Sequence, residues 1–185
     1  PAVSLAPTAL SFGNQLVGTT SAAKTVTLTN SGNATLNIGS VSVSADYALS
    51  SNSCTSASIA PIGTCAMDVT FTPSATGSRP GTLTIPNNAP NNPHTAPLSG
   101  TGTVDFGLTV GTDSRTVDAG ASATYDLTLT ALGGFNQSVS FTCSVSPVRT
   151  LGPTCSFSPA SVTPPGTTTL TARTTGPASA SIYYG

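Results

Sequence analysis

Few side chains here are capable of covalent or acid–base chemistry, and their spacing limits what they can do. The four cysteines fall in two close pairs, Cys54 with Cys65 and Cys143 with Cys155. Each pair would close a loop of about a dozen residues, worth roughly 3 kcal/mol in the chain-entropy picture. An even number in near pairs points to disulfides and an oxidising compartment. Two pairs of buried thiols are the alternative, and the Cys-x2-Cys spacing of a zinc site is absent. The one histidine, His94, lies in a Pro/Asn-rich stretch that reads as a loop. A Ser/His/Asp site would have to be built on it, and no Gly-x-Ser-x-Gly elbow accompanies it. The acids are all aspartates (Asp46, Asp68, Asp105, Asp113, Asp118, Asp126) and are scattered. Glycoside hydrolysis needs two carboxyl groups across one cleft. Asp113 and Asp118 bracket a turn and Asp105 sits at the domain junction, but without an Asp-x-Asp-x-Asp run they read as solubilising turn residues and not as calcium ligands. Lys24 begins a strand and does not sit on its apolar side, which argues against an intramolecular isopeptide bond. The expectation is a chain that is not an enzyme and holds no metal and no cofactor.

The remaining polar chemistry is surface chemistry. Asn33-Ala-Thr35 and Asn136-Gln-Ser138 match the N-glycosylation pattern at Asn33 and Asn136. That pattern arises easily by chance in a chain with 26 Ser and 33 Thr. Sugar binding usually needs an aromatic platform. Tryptophan is absent, Tyr125 alternates inward, Tyr47 packs at an edge, and Tyr183 and Tyr184 would point to opposite sides of a strand. Only 6% of the 185 residues are charged, against about 25% in an average domain. Five scattered cations make no basic footprint, so nucleic acid is not an expected partner. No apolar run approaches the ~20 residues that span a bilayer. No signal peptide is visible, and a start at Pro1 reads as a processed or trimmed product.

The elements that carry these residues are strands. Glu is missing, Lys occurs once, and no segment repeats apolar residues at three-four spacing. Period-two alternation recurs instead. Val26 and Leu28 alternate with threonines in 24–30; Met67, Val69 and Phe71 do so in 66–72, and Tyr125, Leu127 and Leu129 in 123–130. Val139, Phe141 and Cys143 point together, as do Leu170 and Ala172. Each run puts an apolar side to a core and hydroxyls to water. Gly/Pro/Asn breakers separate the runs, at 30–33, 61–63, 73–77, 133–134 and 164–166. The fold class is therefore all-β, with two tandem Ig-like β-sandwich domains at residues 1–103 and 104–185.

Residues 7–102 resemble the bacterial ASH (hydin-type) domain, an Ig-like relative of the major sperm protein fold. The resemblance is carried by Leu10-Ser-Phe-Gly13, Val17-Gly18, Thr25-Val-Thr-Leu-Thr-Asn30 with Gly32, Val69-Thr-Phe-Thr-Pro73 with Gly77, and Leu98-Ser-Gly-Thr-Gly102. Residues 105–175 are similar to the Ig-like repeats of large secreted bacterial proteins. The matching pieces include Asp105-Phe-Gly-Leu108, Val117-Asp-Ala-Gly120, Gly133-Gly-Phe135 and Cys155-Ser-Phe-Ser-Pro-Ala-Ser-Val-Thr163. Together these resemblances imply an extracellular, modular, non-enzymatic protein and supply no catalytic residues.

From Asp105 onward about five strands are legible, against seven in a complete Ig-type sandwich. Either the natural chain continues beyond Gly185 or the second domain lacks its closing strands. A sandwich without them exposes unpaired backbone groups and an apolar groove, both of which a donated strand would satisfy. Two segments alternate suitably: the N-terminal one with Val3 and Leu5, and the tail with Ile182, Tyr183 and Tyr184. The expected partners are copies of the same chain or other surface proteins, joined into a fibre or stalk. A carbohydrate-binding or adhesin module that contacts glycans is the alternative.

Overall fold

A computed structural model describes residues 1–146 and 152–176. Among these the regular elements are all strands, in two compact units, Pro1–Val104 and Asp105–Gly185.

Unit 1 holds β1 (Val3–Ala6), β2 (Leu10–Leu16), β3 (Lys24–Asn30), β4 (Leu36–Asn37), β5 (Ser42–Val43), β6 (Tyr47–Asn52), β7 (Ser58–Ile59), β8 (Thr64–Phe71), β9 (Gly77–Ser78), β10 (Gly81–Ile85) and β11 (His94–Thr103). One sheet runs β1-β3-β8-β6 and the other β2-β11-β10-β5, with β9 also on β11. Alternation decides which side is inside. Val26 and Leu28 of β3 and Cys65, Met67, Val69 and Phe71 of β8 are buried, as are Leu83 and Ile85 of β10 and Ala96 and Leu98 of β11. Each large apolar side chain enclosed this way contributes about 1.5–3 kcal/mol relative to exposure. Phe71 sits at the centre, its ring 4.9 Å from Tyr47 and 5.9 Å from Phe12. Gly100 gives that ring its room, because a Cβ there would lie 2.4 Å from it. Pairing is antiparallel except between β2 and β11, which run parallel.

The N-terminal strand corrects one expectation. Val3 and Leu5 lie in β1, which pairs with β3 of its own unit from Val3↔Asn30 to Ala6↔Thr27, and both side chains pack against the core. The alternation that marks a donor strand also marks an ordinary edge strand, and β3 offers a free edge within the same unit. In this chain the segment is already paired with β3.

Unit 2 holds β12 (Asp105–Val110), β13 (Ser122–Leu132), β14 (Val139–Ser140), β15 (Thr154–Ser158), β16 (Ser161–Val162) and β17 (Gly166–Arg173). A four-stranded sheet runs β12-β13-β17-β15, and β14 pairs with β16 in a two-stranded ribbon. The sheet has the same succession as β1-β3-β8-β6 of unit 1: first, second, last, then third in chain order. The described strands exceed the sequence expectation by one, the two-residue β16, which is too short to show alternation. In unit 1 the chain after β8 supplies β9, β10 and β11 to the facing sheet. In unit 2 no strand follows β17 among the described residues.

Candidate interaction surface

The distinctive surface of unit 2 is the inner face of its sheet. Register places Phe106 opposite Ala131, Leu108 opposite Leu129 and Val110 opposite Leu127. On the other side of β13, Tyr125 meets Leu170 and Ala123 meets Ala172, and these meet Phe157 and Cys155 of β15. Ladder partners share a face, so these residues form one continuous apolar surface. One end of it is covered. Val162 of β16 lies over Gly166, where a Cβ would be 2.5 Å from its side chain, and Phe141 packs on Phe157 at 5.1 Å. Phe135 adds a ring 5.4 Å from Phe106. Beneath this cover Leu129 is fully enclosed, and buried Thr168 donates its hydroxyl hydrogen to the Pro159 carbonyl at 2.6 Å. The part nearer β12 is open. Val110, Tyr125, Leu127 and Leu170, with Asp113, line a groove of about 280 Å³. Leu108 and Val110 are 47% and 49% exposed, unusual for inward positions of a sandwich.

The residues singled out for covalent chemistry are dispersed. Cys54 is bonded to Cys65 (Cα–Cα 5.2 Å) and Cys143 to Cys155 (6.1 Å), and no described cysteine is free. His94 opens β11, where a loop was expected, and its Nδ1 meets the Asn87 side-chain amide at 3.0 Å. Among the described residues no three His, Cys, Asp or Glu side chains gather as a metal set would. Lys24 lies on the outside, donating to the Ser11 carbonyl with its ammonium 5.7 Å from the Phe12 ring centre. Asn33 and Asn136 are exposed and lie outside the strands. Ile182, Tyr183 and Tyr184 lie outside the described residues. Tyr47 is 7% exposed and donates to the Arg79 carbonyl, so it offers no sugar platform.

One polar cluster escaped sequence reading. Asp46 pairs with the Arg79 guanidinium and accepts from the Ser74 backbone N–H, while Arg79 also donates to the Ser74 hydroxyl. The Arg79 hydrogen bond, helped by Ser74, holds the Asp46 carboxyl below its ordinary value. Burial, with the Asp46 charge, raises the Tyr47 phenol. A lowered carboxylate pKa contributes stability that is present above the unfolded value, about 3.9 for Asp, and is lost as pH falls through the folded value. Asp46→Asn keeps a group compatible with φ 71° at this position but removes the charge. It is expected to cost about 1 kcal/mol at neutral pH and to flatten the loss of stability between pH 5 and 2. Urea midpoints across that range measure both, and an unchanged acid slope would refute the assignment.

Residues 1–95 match the family described as Abnormal spindle-like microcephaly-assoc'd, ASPM-SPD-2-Hydin (ASH). The chain belongs to the ASH family. The match covers just over half of the ASH chain and lies within unit 1. ASH domains are non-catalytic modules of Ig-like architecture, in keeping with the two facing sheets of unit 1. No curated protein matches this ASH chain significantly. Solved structures similar to it include the PapD-like domain 7 of human CEP192, at 18% identity over 55% of this chain and 84% of that one, TM-score 0.42. The secreted serine protease VesC from Vibrio cholerae aligns at 16% identity over 89% of this chain and 45% of that one, TM-score 0.42. The YadV chaperone aligns at 11% identity over 92% and 84%, TM-score 0.39. Two disulfides are compatible with an oxidising, extracellular setting. No helix among the described residues is long and apolar enough to cross a membrane.

Proposed function

We propose that this ASH chain is an extracellular structural module, a subunit or spacer of a bacterial surface fibre or stalk. In this reading copies join head to tail, the open face of unit 2 receiving a strand from the next copy. The observation that carries it is the apolar groove of Val110, Tyr125, Leu127 and Leu170 in a sheet whose other end is covered. Apolar surface of this kind is favourably removed from water at about 25 cal/mol per Å². A strand with one apolar side is suited to cover it, because its side chains can pack into the groove across the sandwich. A contact between two different surfaces of one molecule does not close on itself and so grows into a filament. The hydroxyl-rich surface and low charge suit an extracellular chain, and the two disulfides would persist there.

The test is the size of the oxidised protein in solution as concentration rises. Sedimentation velocity is expected to show a ladder of species, and electron microscopy a regular fibre. A monodisperse monomer at every concentration would overturn the assembly reading.

A further inference from the structure

Beyond the head-to-tail reading, we propose a second and independent contact: two copies of this chain pair unit 1 to unit 1, with Ile62 of each at the centre of a two-fold interface. The starting observation is a side chain where glycine belongs. Pro61 and Ile62 fill the middle of a turn that Gly63 closes by donating its N–H to the Ala60 carbonyl at 2.9 Å. Ile62 has φ 59°. A type II turn with proline in its first middle place takes Gly or Asn in the second. The strand ladder asks for the same. The Ile62 N–H donates to the Asn30 carbonyl and the Asn30 N–H to the Gly63 carbonyl, so Ile62 and Gly63 together oppose Asn30. This is a β-bulge whose first, left-handed residue is ordinarily glycine. A β-branched side chain there strains the backbone. Unit 1 gains nothing for that strain by burial, because Ile62 is 86% exposed, the most of any large apolar side chain described.

The surroundings of Ile62 are held in place and uncharged. The Asn30 amide ties the turn to the neighbouring loop by donating to the Ile59 and Ala34 carbonyls. Asn88 donates to the Thr35 carbonyl and accepts from the Asn37 N–H. A surface fixed in this way loses little freedom when it binds. The charged side chains of unit 1 are Lys24, Asp46, Asp68 and Arg79. Lys24 begins β3, Asp68 lies opposite Thr25, and Asp46, paired with Arg79, precedes the Tyr47 that meets Phe71 at the end of β8. All are set toward the other end of the unit, where β11 passes the chain on at Val104. The Ile62 end carries exposed Asn33, Asn88, Asn91 and Asn92, and its titratable side chain is His94. An amide both donates and accepts, so a surface of Asn residues can satisfy itself across a two-fold axis, where each patch meets its own copy. A charged partner finds no counter-charge on this end; an identical and equally uncharged one needs none.

The experiment uses the full chain. Leu170→Asp damages the groove of unit 2 and so separates this contact from the head-to-tail one: sedimentation velocity is expected to show growth stopping at a dimer, and adding Ile62→Asn to leave only monomer. Asn tolerates the left-handed backbone, so Ile62→Asn alone should melt at an equal or higher temperature when both proteins are measured dilute, as monomers. A lower melting temperature would mean that Ile62 serves the fold, and would overturn the proposal. Ile62→Cys supplies a distance, a readout that stands even if Leu170→Asp fails to fold. Introduced thiols join only where two Cα atoms come within about 7 Å, so oxidation of Ile62→Cys is expected to give a covalent dimer about tenfold faster than Ala22→Cys, an exposed position at the opposite end. Equal rates, or a dimer untouched by Ile62→Asn, would overturn the pairing and leave the head-to-tail reading in place. A dimer lost with Ile62→Asn but not joined by Ile62→Cys would seat Ile62 on a different surface of its partner and refute the two-fold contact. An unchanged chain that is monomeric at every concentration would overturn both readings.

Discussion

Replacing Phe71 with Ala is expected to lower the unfolding free energy of unit 1 by about 4 kcal/mol, within the usual range for a fully enclosed aromatic. The ring is completely buried and contacts both sheets: it belongs to β8, stacks on Tyr47 of β6 and tilts against Phe12 of β2. Its edge lies over Gly100 of β11, so the cavity would open where four strands meet. The same geometry predicts that Gly100→Ala is itself destabilising, by about 1–3 kcal/mol, through overpacking. The two losses should not add, since an Ala at 100 has space once the ring is gone. A double-mutant cycle by denaturant unfolding measures this. Strict additivity, or a loss at Phe71 below about 2 kcal/mol, would show that the ring does not fill the centre as described.

The second large effect is expected at Asn30. Its side chain is fully buried at the end of β3. The amide nitrogen donates to the carbonyls of Ala34 (2.8 Å) and Ile59 (2.9 Å). The amide oxygen accepts from the N–H groups of Ala2 and Gly32. Four backbone groups from three stretches of chain thus converge on one amide. Asn30→Leu has nearly the same size but satisfies none of them. Each orphaned group costs about 1–3 kcal/mol when water cannot reach it. Partial solvation at the edge of the unit reduces the sum, and a loss of about 3 kcal/mol is expected. Faster hydrogen exchange at Ala2 and Gly32 should accompany it. Unchanged stability would mean that the buried amide is dispensable.

Asn30 also shows where local sequence reading stops. In the sequence it ends the 24–30 run and begins a turn-like Asn-Ser-Gly-Asn run, but its role as a core lock also needs Ala2 and Ile59, which lie far along the chain. The strands with clear alternation were legible, because burying one side leaves a period of two: β3, β8 and β13 lie where Val26, Met67 and Leu127 place them. The two-residue strands carry no period and were not. The Asp46–Arg79 pair spans 33 residues and β2 meets β11 across most of unit 1, so neither has a local signature. At the candidate interaction surface, the runs that became β13 and β17 were legible by their alternation. Which end of the face is open was not, because that depends on Val162 and Phe141 folding back over Gly166 and Phe157.

The parallel pairing of β2 with β11 has a mechanical consequence. These strands lie near the two ends of unit 1, and they run in the same direction through five register pairs. A tension that draws the two ends of the unit apart pulls β2 and β11 in opposite senses along their length. The bonds between them are then loaded together, in shear, and do not open one after another like a zip. Such an arrangement resists tension better than one whose bonds open in succession.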